Sequence, residues 1–284
     1  MTSKLLYEAT TEAIASLEYK MEHPELFRPV DTGIPSLNKA VGGIIPGTYV
    51  AILGKAKVGK TTVMNHFATM IASAQRGRVN YNTLEELQQA LAIRSLTRLT
   101  TKTTREHIRD LVLEEEHFEE LRKVNEMLKD VDMYLEDRAF RMSDIIASAL
   151  KEEAKWVVVD YAQLLEDGGA KNEQELQVNT GKQIMKARNE HGLTFVVAYQ
   201  LNEDGKIHGS RAAYKDADLV LQINEVKGAN NEVIQGSLEI EVLASRQAAS
   251  YSRHEVAANM AHGRIQEVPK VSVKDMFEGE DTDA

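Results

Sequence analysis

The sequence predicts an α/β fold in which a mostly parallel β-sheet carries helices on both faces. Short apolar segments alternate with helical segments from about residue 33 onward, and this alternation is typical of parallel sheets. A turn rich in glycine and lysine, at residues 54–61, joins the first strong strand to the helix after it. A strand, such a turn and a helix in this order indicate a protein that binds phosphate groups.

One amphipathic helix is predicted ahead of the sheet, over residues 3–22. Its apolar positions recur at helical spacing and are Leu6, Ala9, Ala13 and Leu17. Pro24 and Pro29 then interrupt the chain. An apolar stripe on a helix outside the main pattern requires a partner. Two partners remain open at this stage, the core of the same chain and another subunit.

The strands and helices of the sheet region follow in chain order. Short apolar runs predict strands at 49–53, 78–81, 133–135, 156–160, 195–199, 219–223 and 238–243. Apolar residues three and four positions apart predict helices at 61–74, 143–153 and 173–190. Residues 83–130 are heavily charged and are predicted to be helical, with the acidic run at 114–116 on a solvated face.

The composition limits the possible classes of function. The 284 residues are 43% hydrophobic, which is enough to bury a substantial core. Their 34 basic and 44 acidic side chains give a net charge of −10, which excludes a generally basic nucleic-acid coat but permits a local basic groove. The absence of cysteine excludes disulfides, cysteine zinc sites and thiol nucleophiles. No apolar run suits a membrane span, and Glu8 and Glu12 argue against a signal peptide, so we expect a soluble cytoplasmic protein.

The turn at 54–61 matches the full phosphate-loop pattern G-x-x-x-x-G-K-[ST]. Two glycines allow the backbone to wrap around phosphates with its N–H groups pointing inward. Lys60 can reach the β- and γ-phosphates of ATP, and the Thr61 hydroxyl can bind Mg²⁺. The predicted nucleotide-binding residues are Gly54, Lys55, Ala56, Lys57, Val58, Gly59, Lys60, Thr61 and Thr62. The alternative is a fortuitous glycine–lysine turn, and the flanking strand and helix argue against it.

Three further polar residues stand where strands end. Asp160 ends an apolar strand and is predicted to hold the hydrated metal, although a strand-end aspartate can also simply cap a turn. Glu85 follows the next strand after the loop and is the predicted base for the attacking water, with Glu86 as its competitor and an ordinary first-turn acid as the alternative. Gln200 is predicted to sense the γ-phosphate by hydrogen bonding, or is only a polar strand end.

These segments together resemble the ATPase domain of the DnaB-type replicative helicases, within the RecA-like superfamily. The resemblance covers roughly residues 3–260, and the order and spacing of its motifs agree throughout. Its motifs are Asp-Thr-Gly-Ile-Pro-Ser-Leu-Asn at 31–38, Thr-Leu-Glu at 83–85, Asp-Tyr-Ala-Gln-Leu-Leu at 160–165, Tyr-Gln-Leu-Asn at 199–202 and Asp-Ala-Asp-Leu-Val-Leu at 216–221. By this resemblance Glu85 is the catalytic carboxylate, because it matches the glutamate of the family's Ser-Leu-Glu motif.

The resemblance also implies an assembly. Family members form hexameric rings that bind ATP between subunits, and an arginine of the neighbouring subunit reaches the γ-phosphate. Arg246 falls at that position here, within Ala-Ser-Arg-Gln at 244–247. The family usually has Lys-Gln-Arg-Asn-Gly there, so the sequence departs from the pattern around Arg246. An ordinary surface arginine at a strand end is the alternative.

Two segments match the family's DNA-binding loops in the central channel, at about 167–175 and 202–214. The second contains the predicted DNA-binding residues Lys206, His208, Gly209, Ser210 and Arg211. Basic side chains and backbone N–H groups suit contact with the backbone of single-stranded DNA. His208 stands where the family usually has arginine, which leaves the individual contacts open.

The resemblance implies a division into a linker helix at 1–28, a RecA-like ATPase domain at 29–266 and an acidic tail at 267–284. The tail holds five acids and no base in its last ten residues and is expected to be disordered. The family's domain ahead of the linker has no counterpart in this sequence, so we expect a motor core. Primase, a loader or another replisome protein could bind the first helix or the tail.

The function that follows is an ATP-hydrolysing DNA helicase or translocase, which acts on single-stranded DNA as a ring-shaped oligomer in DNA replication. A RecA-like recombinase or recombination mediator remains an alternative, because it would share the fold and the nucleotide chemistry. A regulatory ATPase or loader adaptor without unwinding activity is the third possibility. Rings separate the helicase from the recombinase, which forms open filaments.

Overall fold

The structure is a computed structural model, and it describes residues 4–75, 77–205, 214–246 and 251–268. Its helices are α1 (Leu6–Glu22), α2 (Pro24–Phe27), α3 (Pro35–Val41), α4 (Lys60–Ser73), α5 (Gln88–Leu99), α6 (Arg105–Arg109), α7 (Glu115–Met127), α8 (Met142–Lys151) and α9 (Glu173–His191). Its strands are β1 (Tyr49–Lys55), β2 (Val79–Thr83), β3 (Met133–Glu136), β4 (Trp156–Asp160), β5 (Thr194–Leu201), β6 (Leu219–Lys227), β7 (Val233–Ser245), β8 (Arg253–Asn259) and β9 (Arg264–Glu267).

The described strands form one sheet in the order β3-β2-β4-β5-β1-β6-β7-β8-β9. The six strands from β3 to β6 pair in parallel, and β7, β8 and β9 continue the sheet in antiparallel fashion. The phosphate-loop strand β1 therefore lies in the interior of the sheet, between β5 and β6. Because the parallel strands all end at one edge, the loops after β1, β2, β4 and β5 meet there.

Two apolar cores cover the two faces of the sheet. Along β1, Val50 and Ile52 belong to one core, while Tyr49, Ala51 and Leu53 belong to the other. This is the two-residue period of a strand that is buried on both faces. Helix α4 packs in the first core and α8 and α9 pack in the second, so the predicted mostly parallel sheet with helices on both faces is confirmed.

The region predicted to be helical over residues 83–130 forms three helices, α5, α6 and α7, with two breaks, and its first residues lie before α5. At the first break Thr100 donates its hydroxyl to the carbonyl oxygen of Thr97, at 2.8 Å. Local hydrogen bonds of this kind compete with helix continuation. At the second break Leu111 adopts a positive φ of 56°. A charge count does not reveal either break.

The antiparallel end of the sheet is larger than the sequence predicts. Strand β7 extends over Val233–Ser245, and β8 and β9 were not anticipated. In β8 the residues His254, Val256 and Ala258 are buried, and the residues between them are exposed. The two-residue period was present in the sequence, but two of these three inward residues are not strongly apolar.

Helix α1 forms as predicted but lies apart from both cores. None of its residues is buried, and the Tyr19 ring contacts Phe27 of α2 at a centroid distance of 5.9 Å. Its apolar stripe therefore does not dock on the described core of its own chain. Across the described ranges, no helix combines the length and apolarity that crossing a membrane takes.

Candidate functional site

The phosphate loop follows β1 and leads directly into α4, as the sequence predicts. Gly59 has a φ of +103°, a conformation that favours glycine. At Gly54 a Cβ atom would lie 2.8 Å from the Val58 side chain and 3.0 Å from Cγ of Lys60. Glycine is therefore required at both positions for different reasons: the backbone conformation at Gly59 and the lack of space for a side chain at Gly54.

The side chain of Lys60 folds back over this loop. Its Nζ donates a hydrogen bond to the carbonyl oxygen of Lys55 at 2.7 Å, and the residue is almost fully buried. Burial lowers the pKa of Lys60, and the carboxylates of Asp160 and Glu85 act in the opposite direction. The ammonium group is thus held above the loop with two acids nearby, which suits it to a phosphate-binding role.

Asp160 ends β4 beside the phosphate loop and is buried. Burial raises its pKa to about 6, against the effects of the Thr61 and Tyr81 hydroxyls and of Lys60. Tyr81 donates to its Oδ2 at 3.3 Å. Its Oδ1 is buried and meets no hydrogen-bond partner among the described residues. A buried, unsatisfied carboxylate oxygen near a loop threonine fits a hydrated Mg²⁺, which keeps several of its waters.

Glu85 and Glu86 follow β2, and the structure gives them different surroundings. Glu86 forms a two-point ion pair with Arg94 of α5, with nitrogen–oxygen distances of 2.7 and 2.9 Å. Both glutamates line the cavity in front of the loop, but Glu85 is exposed and forms no ion pair with any described residue. Arg94 already occupies both carboxylate oxygens of Glu86, which leaves Glu85 better placed to meet a water molecule in the cavity. The geometry therefore favours Glu85 over Glu86 as the base.

Gln200 lies at the end of β5, where it stands beside Gly54 in the strand register. The side-chain amide of Gln163 holds its backbone on both sides: Nε2 donates to the carbonyl oxygen of Gln200 at 2.9 Å, and the N–H of Gln200 donates to Oε1 at 3.1 Å. This double contact fixes the backbone of Gln200. Gln200 itself lines the cavity in front of the phosphate loop.

One cavity of about 720 Å³ connects these groups at the carboxyl edge of the parallel strands. It brings together the predicted residues Lys60, Thr61, Glu85, Asp160 and Gln200. Sequence reasoning missed part of its lining, namely Arg94, Arg105, Glu225, residues 233–238 and Met260. These come from segments far apart in the chain and carry no motif, so only the fold reveals them.

Arg246 lies elsewhere. Its guanidinium pairs with Oδ1 of Asp218 at 3.4 Å, and the other oxygen of Asp218 accepts a hydrogen bond from the backbone N–H of Tyr49 at 2.8 Å. Tyr49 begins β1, whereas the phosphate loop begins at Gly54, near the end of that strand. The five residues 49–53 place the start of the loop about 16 Å along the strand from Tyr49. The structure thus does not bring Arg246 into the cavity of its own chain.

The predicted DNA-binding residues Lys206, His208, Gly209, Ser210 and Arg211 lie outside the described residues, as do residues 269–284 of the acidic tail; Glu267, assigned to the tail, instead ends β9. The other predicted loop, at 167–175, is described. In the structure α9 begins at Glu173, inside this predicted range. The side chain of Asn172 caps the helix by accepting a hydrogen bond from the N–H of Glu175 at 2.9 Å. No group of three or more histidine, aspartate or glutamate side chains able to hold a metal occurs in the part of the chain that the structure describes.

A phosphate loop after an interior parallel strand, with acids at the ends of two neighbouring strands, defines a phosphate-loop nucleoside triphosphatase domain. Residues 29–232 match the family model described as the DnaB-like helicase C-terminal domain. The chain belongs to this family, and the resemblance found in its motifs is thereby confirmed.

The relatives and solved structures most similar to the chain agree with this assignment. The replicative DNA helicase DnaB of Leifsonia xyli subsp. xyli is 22% identical over 282 residues, covering 96% of this chain and 59% of that protein. The chain therefore spans less than two thirds of this relative's length.

Solved structures show the same fold. An ATPase domain superposes with a TM-score of 0.80 at 16% identity, over 91% of this chain and 98% of that one. A structure described as a DnaB-like replicative helicase and its interactions with primase gives a TM-score of 0.73 at 16% identity, over 95% of this chain and 68% of that one. The predicted RecA-like fold is confirmed.

Proposed function

We propose that this chain is the ATP-hydrolysing motor of a DNA helicase, which moves along single-stranded DNA in replication. The observation that carries the proposal is the meeting of Lys60, Glu85, Asp160 and Gln200 around one cavity in front of the phosphate loop. Membership of the DnaB-like helicase family supports the choice of a helicase over other nucleoside triphosphatases. The cofactors are ATP and Mg²⁺, and the protein acts in the cytoplasm.

In this proposal the chain's own residues divide the hydrolysis between them. The loop N–H groups and Lys60 bind the β- and γ-phosphates, where negative charge develops as the bond to the leaving oxygen breaks. Glu85 accepts the proton of the water that attacks the γ-phosphorus. Gln200 donates a hydrogen bond to the γ-phosphate. Thr61 and Asp160 would hold Mg²⁺, which neutralises phosphate charge when bound.

We further propose that the active site is shared between neighbouring copies in a hexameric ring. Arg246 lies at the Tyr49 end of β1, and the loop begins about 16 Å further along that strand; Arg246 also stands at the family's position for an arginine that acts on the adjacent subunit. The stripe of α1, which none of the described residues buries, supports docking on a second copy. Primase, a loader or another replisome protein is the expected partner of the first helix or the acidic tail.

Single-stranded DNA is the proposed track, bound by the loops at 167–175 and 202–214. The residues proposed for its phosphates are Lys206, His208, Gly209, Ser210 and Arg211. Because such binding depends on few charges in a converging channel, the net charge of −10 does not oppose it.

The experiment that tests this function measures ATP hydrolysis with and without single-stranded DNA, together with unwinding of a forked duplex. We expect Mg²⁺-dependent hydrolysis that DNA stimulates, and unwinding that requires ATP. The Lys60→Ala variant serves as the control and should lose both activities. Absence of hydrolysis in the wild-type protein would sink the proposal, and slow, DNA-insensitive hydrolysis without unwinding would point to the regulatory ATPase instead.

A further inference from the structure

Two arginines that no sequence motif indicates line the nucleotide cavity, Arg94 and Arg105. Arg94 is occupied, because Glu86 holds its guanidinium at two points, at 2.7 and 2.9 Å. Arg105 has no such partner: among the described residues no carboxylate lies within ion-pair distance of it. Of the two described arginines that line the cavity, one is therefore in an ion pair and the other is not.

The surroundings of Arg105 make its charge costly. The residue is half-buried. Burial lowers the pKa of its guanidinium, the charge of Arg94 lowers it further, and the carboxylates of Glu86 and Glu106, neither in an ion pair with it, offset this only in part. A desolvated cation beside a second cation is stabilised by an anion that enters the same space. The guanidinium of Arg105, at the wall of the cavity, is thus suited to binding an anionic ligand.

The backbone around Arg105 is fixed in place. Its N–H donates to the carbonyl oxygen of Ala261 at 3.0 Å. The neighbouring Met260 lines the cavity, and its sulfur accepts a long hydrogen bond from the Thr62 hydroxyl at 3.9 Å. Arg105 is therefore attached to the same turn that contacts the first residues of α4, where the phosphate loop ends.

The segment before Arg105 is fixed as well. The Glu120 carboxylate of α7 accepts hydrogen bonds from the backbone N–H groups of Thr101, at 2.6 Å, and Thr103, at 2.8 Å. The Thr104 hydroxyl then caps α6 by accepting from the N–H of His107 at 3.3 Å. The backbone that carries Arg105 is therefore ordered before a ligand binds, and the rotamer freedom of its side chain is what binding would still cost.

We propose that Arg105 contacts the phosphate chain of the nucleotide bound at its own phosphate loop. It acts within one chain, unlike Arg246, and its planar fork suits two phosphate oxygens. This inference rests on the proposed function only in requiring that a nucleoside triphosphate binds in the cavity. It does not require DNA binding, unwinding or a ring.

The test measures the affinity of the full chain for ADP and for inorganic tripolyphosphate by calorimetry, in the wild type and in Arg105→Gln. We expect both ligands to bind about tenfold more weakly to the variant, which corresponds to about 1.4 kcal/mol. Arg109→Gln is the matched control, because Arg109 lies on the same helix but pairs with the adjacent Asp110 at the surface. It should bind both ligands within about twofold of the wild type.

Tripolyphosphate distinguishes the possible contacts, because it has no base or ribose. Weaker binding of ADP with unchanged binding of tripolyphosphate would overturn the inference in favour of a contact to the nucleoside. Unchanged binding of both would exclude any contact. Thermal unfolding without ligand checks that the variant folds, and Arg105→Met, which keeps the apolar stem, gives the same comparison should Arg105→Gln unfold.

The outcomes separate this inference from the proposed function. A wild-type chain that binds both ligands but unwinds no DNA would remove the helicase and leave the role of Arg105 intact. A helicase whose Arg105→Gln variant binds both ligands normally would remove only the role of Arg105. A wild-type chain that binds neither ligand would overturn both.

Discussion

Glu85 and Glu86 are adjacent in the chain and chemically almost identical, and only their neighbours distinguish them. Both line the cavity, but Glu86 pairs with the guanidinium of Arg94, whereas Glu85 forms no ion pair with any described residue. A sequence pattern can identify the pair, but the choice between them depends on a helix that starts two residues later. Packing therefore decides what the motif leaves open.

The difference predicts unequal effects of the same substitution. Glu85→Gln should lower the rate of ATP hydrolysis by about 10²–10³-fold with nucleotide binding retained, because the general base is lost. Glu86→Gln is the matched comparison and should lower it by less than about tenfold. Single-turnover hydrolysis and nucleotide affinity are the two measurements. Equal losses of hydrolysis rate in the two variants would contradict the choice of Glu85 as the base.

His66 is a buried titratable residue on α4, on the side away from the cavity lining. Its Nε2 lies 2.7 Å from the carbonyl oxygen of Thr32, which can only accept, so this nitrogen carries the proton. Its Nδ1 accepts from Arg98 at 3.0 Å. Burial, with a smaller contribution from the Arg98 charge, lowers the pKa of His66 to about 4. The folded protein thus holds a neutral imidazole.

This pKa predicts a loss of stability in mild acid. Between about pH 6.5 and 4 the unfolded chain binds a proton at His66 and the folded chain does not, so the free energy of unfolding falls as the pH falls. The contribution is at most roughly 3 kcal/mol. His66→Gln should flatten the pH dependence of urea unfolding over this range, and the exposed His191→Gln should not. Parallel curves for wild type and His66→Gln would contradict the prediction.

At the scale of elements, strands were predicted better than the connections between them. The interior strand β4 consists of Trp-Val-Val-Val-Asp, an apolar run that few other structures accommodate. The path from α5 to α7 was not predictable in the same way, because it depends on Thr100, Thr103 and Glu120, which meet only after folding. Polar contacts between distant residues leave no periodic trace in the sequence.

For the same reason Arg105 escaped sequence analysis, while Lys60 did not. The phosphate loop is a contiguous pattern whose residues must stand at fixed spacing. Arg105 reaches the cavity because its backbone is bound to Ala261, which lies more than a hundred residues further along the chain. The sequence predicts the site residues that stand at strand ends. It does not predict the cavity-lining residues that come from other segments, such as Arg105 and residues 233–238.

Glu120 holds the segment between α5 and α6 and supports a prediction of its own. Burial alone would raise the pKa of Glu120, but the N–H of Thr101, with the N–H groups and hydroxyl of the next two residues, holds it well below its usual range. Glu120→Gln should lower the free energy of unfolding by about 1 kcal/mol near neutral pH. Glu119→Gln, on the same helix and exposed, is the control.

The pH dependence of this effect has a defined direction. A carboxylate with a lowered pKa in the folded state stabilises the protein above the unfolded pKa, near 4.5, and this contribution is lost as the pH falls further. The difference between wild type and Glu120→Gln should therefore shrink below about pH 4.5. A difference that stays constant from pH 7 to pH 3, measured by urea unfolding, would argue against the carboxylate as the cause.

At the scale of the whole molecule, the phosphate loop and Arg246 lie at opposite ends of one interior strand. The phosphate loop begins near the end of β1, and Arg246 connects through Asp218 to its first residue. Asp218 also binds Arg188 of α9, at 2.8 Å. An interior strand and the half-buried Asp218 therefore stand between the loop and Arg246, whose own side chain is exposed.

This arrangement predicts complementation between inactive variants. Lys60→Ala and Arg246→Ala should each abolish hydrolysis, Arg246→Ala with nucleotide binding retained. In a random mixture, about a quarter of the shared sites would combine an intact Lys60 with an intact Arg246 from the neighbouring copy. Hydrolysis should recover to a corresponding fraction of the wild-type rate. A mixture of Lys60→Ala with the double variant is the control, and no recovery in the first mixture would contradict site sharing.

The separation of Arg246 from its own loop also bears on how copies can be counted. If each copy completes the site of the next, the contact is head-to-tail, and an open row always ends with one loop that receives no arginine and one arginine that serves no loop. Closing the row into a circle removes both ends at once. The fraction of competent sites would then rise with the length of a filament but equal one in any closed circle. Once all copies are assembled, turnover per subunit that still rises with protein concentration therefore indicates filaments, and constant turnover indicates rings.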